Sequence, residues 1–265
     1  MVSLSAENVI WQYWETHGEK PRFIDGLHEI AKKNSGVKVI LVTPETLSAY
    51  LPHIEDGVSR ITNLSHKADM IRTRLVMHYG GMWLDSDAIV LNDLNWLFEY
   101  LKTYEFVGFN NAGRLQPDPP LVRINCFLSR PNGRIIREWV RLQHLKFPKT
   151  TFDWNEIGAG LLTPICLENK QFVNILPFER ICPIPSGEVE TFTSKDDARA
   201  EQILEECFIV MLSNRMLHIR NSPLQQLTVD QIAAGDYLLA KILRKAVASI
   251  HDRRPRLSFV HTRDG

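Results

Sequence analysis

An excess charge of either sign is missing from this sequence: 31 Lys and Arg residues balance 31 Asp and Glu. A neutral chain has no overall field to gather nucleic acid or an anionic bilayer, so no nucleic-acid partner is expected. Cysteine is scarce as well. Cys126, Cys166, Cys182 and Cys207 form no CxxC pair, which excludes the usual zinc and thiol-redox motifs. In a chain of this size they read as reduced thiols of a cytoplasmic protein. The start, MVSLSAENVIWQYWE, lacks a basic stretch followed by an apolar secretory core. No run approaches the ~20 apolar residues that span a bilayer, and mean hydropathy is -0.16. Peripheral attachment at the inner face of a membrane stays open. Internal repeats and low-complexity tracts are also absent, and Gly158-Ala159-Gly160 is too loosely patterned for a phosphate-binding loop.

What the sequence does contain is ordinary globular composition, 44% hydrophobic and 23% charged over 265 residues. This suits one domain over residues 1–265, with 251–265 a flexible basic tail. Residues 8–14 read as a first strand, Arg22 to Asn34 as an amphipathic helix and Val37 to Val42 as a second strand. Thr43 and Pro44 open another helix. Strand and helix then alternate into the stretch Ser65 to Leu91, the pattern of a mostly parallel sheet flanked by helices, in which ligands sit at the carboxyl ends of strands. Further on, strands are expected over Glu105 to Asn110, Arg123 to Ser129 and Phe208 to Leu212, with Met216 to Ile219 continuing the last. A helix is expected over Asn132 to Leu145, a surface loop over Asn111 to Pro120, a mobile surface segment over Pro185 to Glu201 merging into a short helix near Ala198, and a helical pattern over Val229 to Ile250.

Ser65 to Leu91 carries the chemistry. Ser65 is a plausible cap, Ala68, Ile71, Leu75 and Tyr79 recur at helical spacing, and Gly80 stands where a helix would stop. Met82 to Leu84 reads as a short buried strand. It ends in Asp85-Ser86-Asp87, after which Ala88 to Leu91 is apolar again. Two carboxylates bracketed by apolar residues call for a compensating cation. In an extended segment Asp85 and Asp87 point to the same side, where both would face one hard divalent ion. Asp69 and Arg72 lie one helical turn apart on one face. Trp11 and Trp14 sit near the end of the first strand, where one ring would pack in the core and the other would stack on a planar ligand.

The run Lys67-Ala68-Asp69-x-x-Arg72, then Tyr79-Gly80-Gly81-x-x-x-Asp85-x-Asp87, resembles the signature of DXD-motif glycosyltransferases. The group contains yeast initiating mannosyltransferases, bacterial capsular polysaccharide synthesis proteins and the catalytic domains of clostridial glucosylating toxins. Weaker echoes are Ile10 to Trp14, Ile124 to Phe127, Gly158 to Thr163, and Leu217-His218 with Ser222. The chain departs from the pattern at Ala68, Trp11 and Pro223, where members commonly have Ser, His and Trp. The resemblance implies a GT-A fold, a single Rossmann-like sheet, and retaining transfer of a sugar from a nucleotide-diphosphate donor, a UDP-sugar favoured over a GDP-sugar. The acceptor would be a glycan or lipid-linked glycan of a bacterial surface polysaccharide. It also implies a divalent cation, Mn²⁺ or Mg²⁺, held by Asp87 directly and by Asp85 through water. Asp85 would otherwise hold the donor's hydroxyls. Asp69 and Arg72 would grip the transferred sugar and Trp14 would stack on the nucleobase. His218, with Ser222 or Asn221, would complete the metal shell or touch the diphosphate.

Two other readings fit the same residues. Leu84 to Ile89 suits a haloacid-dehalogenase-like phosphatase with Asp85 as nucleophile and Lys195-Asp196-Asp197 supplying later elements. A nucleotide-sugar-binding protein without turnover would also keep the motif.

Overall fold

Period-two alternation explains how the sheet is covered on both faces. Val9, Trp11, Tyr13 and Trp83 enter one buried cluster, while Ile10, Met82 and Leu84 enter another. The computed structural model describes residues 8–54, 56–110 and 120–248. The expected tail over 251–265 and most of the expected surface loop between Asn111 and Pro120 lie outside the described residues.

In chain order the elements are β1 (Val9–Tyr13), α1 (Ile24–Asn34), β2 (Lys38–Val42), α2 (Pro44–Tyr50), α3 (Asp56–Ser59) and α4 (Leu64–Tyr79). Next come β3 (Gly81–Leu84), β4 (Ala88–Val90), β5 (Phe106–Asn110), β6 (Cys126–Ser129), α5 (Arg134–His144), α6 (Ala159–Glu168) and β7 (Val173–Pro177). Last are α7 (Asp197–Glu206), β8 (Ile209–Met211), α8 (Asn214–Ile219), α9 (Val229–Ala233) and α10 (Leu238–Ala248). Six strands form one sheet in the order β2-β1-β3-β6-β5-β7. β1 pairs in parallel with β2 and β3, and β5 with β7; β6 runs antiparallel to both its neighbours. This mostly parallel α/β sheet between helical layers is the GT-A type architecture expected. A separate antiparallel pair, β4 and β8, stands beside it.

α4 is the element on which the site depends. Asn63, not Ser65, caps it: the Asn63 side chain accepts from the backbone N–H of Ser65 at 3.0 Å and of His66 at 3.4 Å. The helix ends where Gly80 and Gly81 take φ of +69° and +97°. A Cβ on Gly81 would stand 2.6 Å from the Val9 carbonyl oxygen, and one on Gly80 would meet the Pro131 ring. Only glycine fits there, and the tight turn is what places β3 directly beside β1. Tyr13 and Asp85 therefore leave parallel strands at the same end of the sheet. Ser86 Oγ donates to Tyr13 O at 3.0 Å and ties those ends together.

Three expectations change. Met216 to Ile219 is helical within α8, because Ser213 adopts the left-handed conformation (φ +55°) and turns the chain out of β8. Pro185 to Glu201 is folded rather than mobile, with Val189 and Phe192, three apart, buried against the C-terminal helices, while the short helix expected near Ala198 is present as α7. The pattern over Val229 to Ile250 is broken into α9 and α10 around Gly235.

Candidate active site

The centre of the site is a guanidinium shared between carboxylates. Arg72 Nη2 lies 3.2 Å from Asp69 Oδ1 and 3.5 Å from Asp85 Oδ1. Its Nη1 donates to Ile124 O at 2.6 Å and its Nε to Ala68 O at 3.3 Å. The Arg72 Cζ stands 5.0 Å from the centroid of the Trp83 ring, a cation–π distance. Trp83 Nε1 in turn donates to Asp85 Oδ1 at 2.7 Å. Arg72 is thus fixed on every side by α4, β3 and the entry to β6.

Asp87 is held from another direction. The Asn214 N–H, at the start of α8, donates to Asp87 Oδ2 at 2.5 Å, and Leu212 N donates to Asp87 O at 3.0 Å. Two carboxylates therefore share one guanidinium, and Asp87, two residues beyond Asp85, feels the charge of that carboxylate and more weakly that of Arg72. Burial pushes the Asp69 carboxyl up to about 7, with Arg72 opposing and Asp85 adding to the shift. Asp85 is raised by burial, against Arg72 and the Trp83 hydrogen bond. Asp87 is raised by burial and then by the charge on Asp85. Each of these shifts marks a place where a cation would be welcome.

The side chains at the end of β3 offer oxygen atoms, the donor type that hard divalent ions take. Asp85 Oδ1 is engaged by Trp83 and the Asp87 carboxylate by the Asn214 N–H and its own backbone N–H, which leaves Asp85 Oδ2 without a hydrogen-bond donor among the described residues. Asn125, whose backbone carbonyl accepts from Asp85 N at 2.9 Å, has a buried Oδ1 with no partner. No group of three or more His, Cys, Asp or Glu is placed to hold a metal among the described residues. His218 is exposed in the last turn of α8 and does not join Asp85 and Asp87 in such a group. Ser222 is partly buried and its N–H donates to Leu217 O at 2.8 Å. Trp14 is also partly buried and packs against the Phe23 cluster, with its indole nitrogen enclosed and unpartnered.

Several residues in this centre escape a reading by motif. Trp83 looks like core, yet its indole nitrogen orients Asp85. Gly158, at the start of α6, lies against Asp69: a Cβ there would stand 3.2 Å from Asp69 Oδ2. Gln143 holds that turn in place, its Nε2 donating to Ile157 O at 2.9 Å and to Asp69 O at 3.1 Å. The family-like segments Ile124 to Phe127 and Gly158 to Thr163 were the available signals, since both close on Arg72 and Asp69.

Residues 2–150 match the family described as capsular polysaccharide synthesis protein. The matched span is more than half of the chain and includes Asp69, Arg72, Asp85 and Asp87. The chain belongs to that family. This family member is also 24% identical over 153 residues to the O-glycosyltransferase PaGT of Phomopsis amygdali, a match covering 51% of this chain and 37% of the relative. It thus spans well under half the length of that relative. Among solved structures, the PaToxG glycosyltransferase aligns with a TM-score of 0.45 and 12% identity, covering 91% of this chain and 86% of that one. The glycosyltransferase GlyE of Streptococcus pneumoniae TIGR4 aligns with a TM-score of 0.43 and 15% identity, covering 78% and 54%.

Proposed function

We propose that this protein is a metal-dependent, retaining glycosyltransferase that moves a sugar from a nucleoside-diphosphate donor to a glycan or lipid-linked glycan acceptor in surface polysaccharide synthesis. The observation that carries the reading is that Asp69 and Asp85 share Arg72, with Asp87 close enough to feel the Asp85 charge, at the carboxyl end of β3 beside that of β1. A diphosphate is an anion, and two further anions at its seat repel it unless a cation stands between them. Asp85 and Asp87 would hold that cation. With two carboxylates as the protein's share, donor phosphates and water would complete the shell, as is usual for Mg²⁺. When bound, the cation would neutralise the charge that develops on the leaving diphosphate.

The chain's own side chains supply the rest. Arg72 fixes the orientation of Asp69 and Asp85, so that both carboxylates meet the sugar in one geometry. Asp69, enclosed by Gly158 and Arg72, faces the transferred sugar. In the transfer, the bond from the sugar's anomeric carbon to the diphosphate oxygen breaks and a bond to an acceptor hydroxyl oxygen forms. The hydroxyl proton leaves with the diphosphate or to water. The donor would come from the cytoplasm, with attachment at the inner face of a membrane compatible with the absence, among the described residues, of any helix long and apolar enough to cross one.

The phosphatase reading draws no support from its later elements: Lys195 pairs with Asp236, Asp196 caps α7 and Asp197 pairs with Lys241. A thermal-shift and hydrolysis panel of UDP- and GDP-sugars with and without Mn²⁺ tests the proposal. A Mn²⁺-dependent shift and slow release of the nucleoside diphosphate are expected. Failure of every donor to bind, or hydrolysis of a generic phosphomonoester that Asp85→Asn abolishes, would overturn it.

A further inference from the structure

Beside the aspartates lies a second set of side chains with no part in the donor reading. Trp154, in the turn between α5 and α6, is 65% exposed. Arg215, on the first turn of α8, holds its guanidinium carbon 4.5 Å from the centroid of the Trp154 ring. A lone exposed tryptophan would need no explanation, but the surroundings of this one do. His66, on the first turn of α4, is 5% exposed, and both its ring nitrogens are buried without a partner. Phe152 packs edge to face on it, 5.7 Å between ring centroids. Burial, followed by the charge on Arg215, holds His66 below its ordinary value of 6.5.

The same three segments build the aspartate centre. Asp69 follows His66 by one turn of α4, Gly158 closes on the Asp69 carboxylate at the end of the Trp154 turn, and Asn214, which binds Asp87, immediately precedes Arg215. The Trp154 platform is therefore built onto the rim of the donor site. Its chemistry is specific. An indole face takes the C–H face of a pyranose ring, and a guanidinium already held in place offers a planar fork to a carboxylate or phosphate. An imidazole with two unmet nitrogens can pair with a hydroxyl once Phe152 moves aside.

We infer that Trp154 and Arg215, with His66 beneath, form the acceptor subsite, and that it takes an anionic saccharide, a sugar ring carrying a carboxylate or a phosphate. The inference rests on the donor-site reading for the word acceptor, but not for the saccharide. Calorimetric titration of the full chain with a glucuronate-containing disaccharide, a hexose 1-phosphate, a neutral disaccharide and inorganic phosphate tests it. At least one charged sugar should bind about tenfold or more tighter than both the neutral sugar and inorganic phosphate. Which one wins tells carboxylate from phosphate. Trp154→Ala should weaken every sugar about tenfold, and Arg215→Gln should remove the preference for charge. Both side chains are exposed, so folding is not at stake. Equal binding of all probes, no binding of either charged sugar at millimolar concentration, or an unaltered preference in Arg215→Gln would overturn the inference. Nucleotide-sugar binding with Mn²⁺ is measured on the same sample. Donor binding without saccharide binding sinks the subsite alone, and saccharide binding without donor binding sinks the transferase reading instead.

Discussion

The two halves of the aspartate centre share one arginine yet differ in how closed they are. Asp69, on α4, has a side chain only 9% exposed and pairs with an Arg72 that is 6% exposed; the Asp85 side chain, at the end of β3, is 31% exposed. Around Asp69 protein stands close on several sides: Arg72, the Gly158 turn and the Gln143 bond to its backbone. Around Asp85 and Asp87 the enclosure is looser: both are partly exposed, and one oxygen of Asp85 has no hydrogen-bond donor among the described residues. The closed half sets position and the open half receives. The excess negative charge is concentrated where a cation and a diphosphate can reach it.

Removing Arg72 attacks both halves at once and carries the largest expected effect. Arg72→Leu leaves Asp69 and Asp85 without their partner, and losing one member of a buried pair costs about 3–5 kcal/mol. Chemical denaturation should show that loss, and Arg72→Lys should recover only part of it, because an ammonium cannot span two carboxylates and two carbonyls at once. Asp87→Ala separates the halves: Mn²⁺-dependent turnover should fall by roughly 10²–10³-fold. The apoprotein should melt close to wild type, since relief of the repulsion on Asp85 offsets the lost Asn214 bond. A melting point that drops as far as that of Arg72→Leu would mean that Asp87 is an anchor too.

Gly158→Ala probes the closed half gently. Its Cβ would stand 2.7 Å from Ile124 Cδ1 and 3.2 Å from Asp69 Oδ2, so a stability loss of about 1–3 kcal/mol from overpacking is expected in denaturation. The smallest effect is a pH slope. Asp69 moves from an ordinary value of 3.8 up to about 7. The native state therefore binds a proton that the unfolded chain has released, and this contribution to stability is full below about pH 4 and lost as pH rises towards 7. Urea midpoints measured over that range should show a falling contribution that Asp69→Asn removes. An identical profile in the variant would show that Asp69 is ionised throughout.

Much of this was legible in the residues. The spacing from Asp69 through Gly80-Gly81 to Asp87 predicts a helix, a glycine stop and a strand end, because each step is local: a cap, a left-handed turn, an apolar run. Tertiary contacts are written less clearly. Asn63 and Ser65 are both cap types, and only the geometry shows that Asn63 reaches both N–H groups. Met216-Leu217-His218-Ile219 is an apolar run too short for its periodicity to tell strand from helix; the left-handed Ser213 and the Asn214 bond to Asp87 settle it. The antiparallel course of β6 and the closure of Gly158 on Asp69 join segments far apart in sequence, and no local pattern announces them.

The central claim is that the open half, Asp85 with Asp87, receives a cation and a nucleoside diphosphate together. Calorimetric titration of UDP, and in parallel GDP, into wild type and Asp87→Ala with Mn²⁺ or with EDTA tests it most directly. The account predicts that one nucleotide binds wild type about tenfold or more tighter with Mn²⁺ than with EDTA, and that Asp87→Ala shows no such difference. Wild-type affinity indifferent to Mn²⁺, or a Mn²⁺ effect that survives in Asp87→Ala, would contradict it.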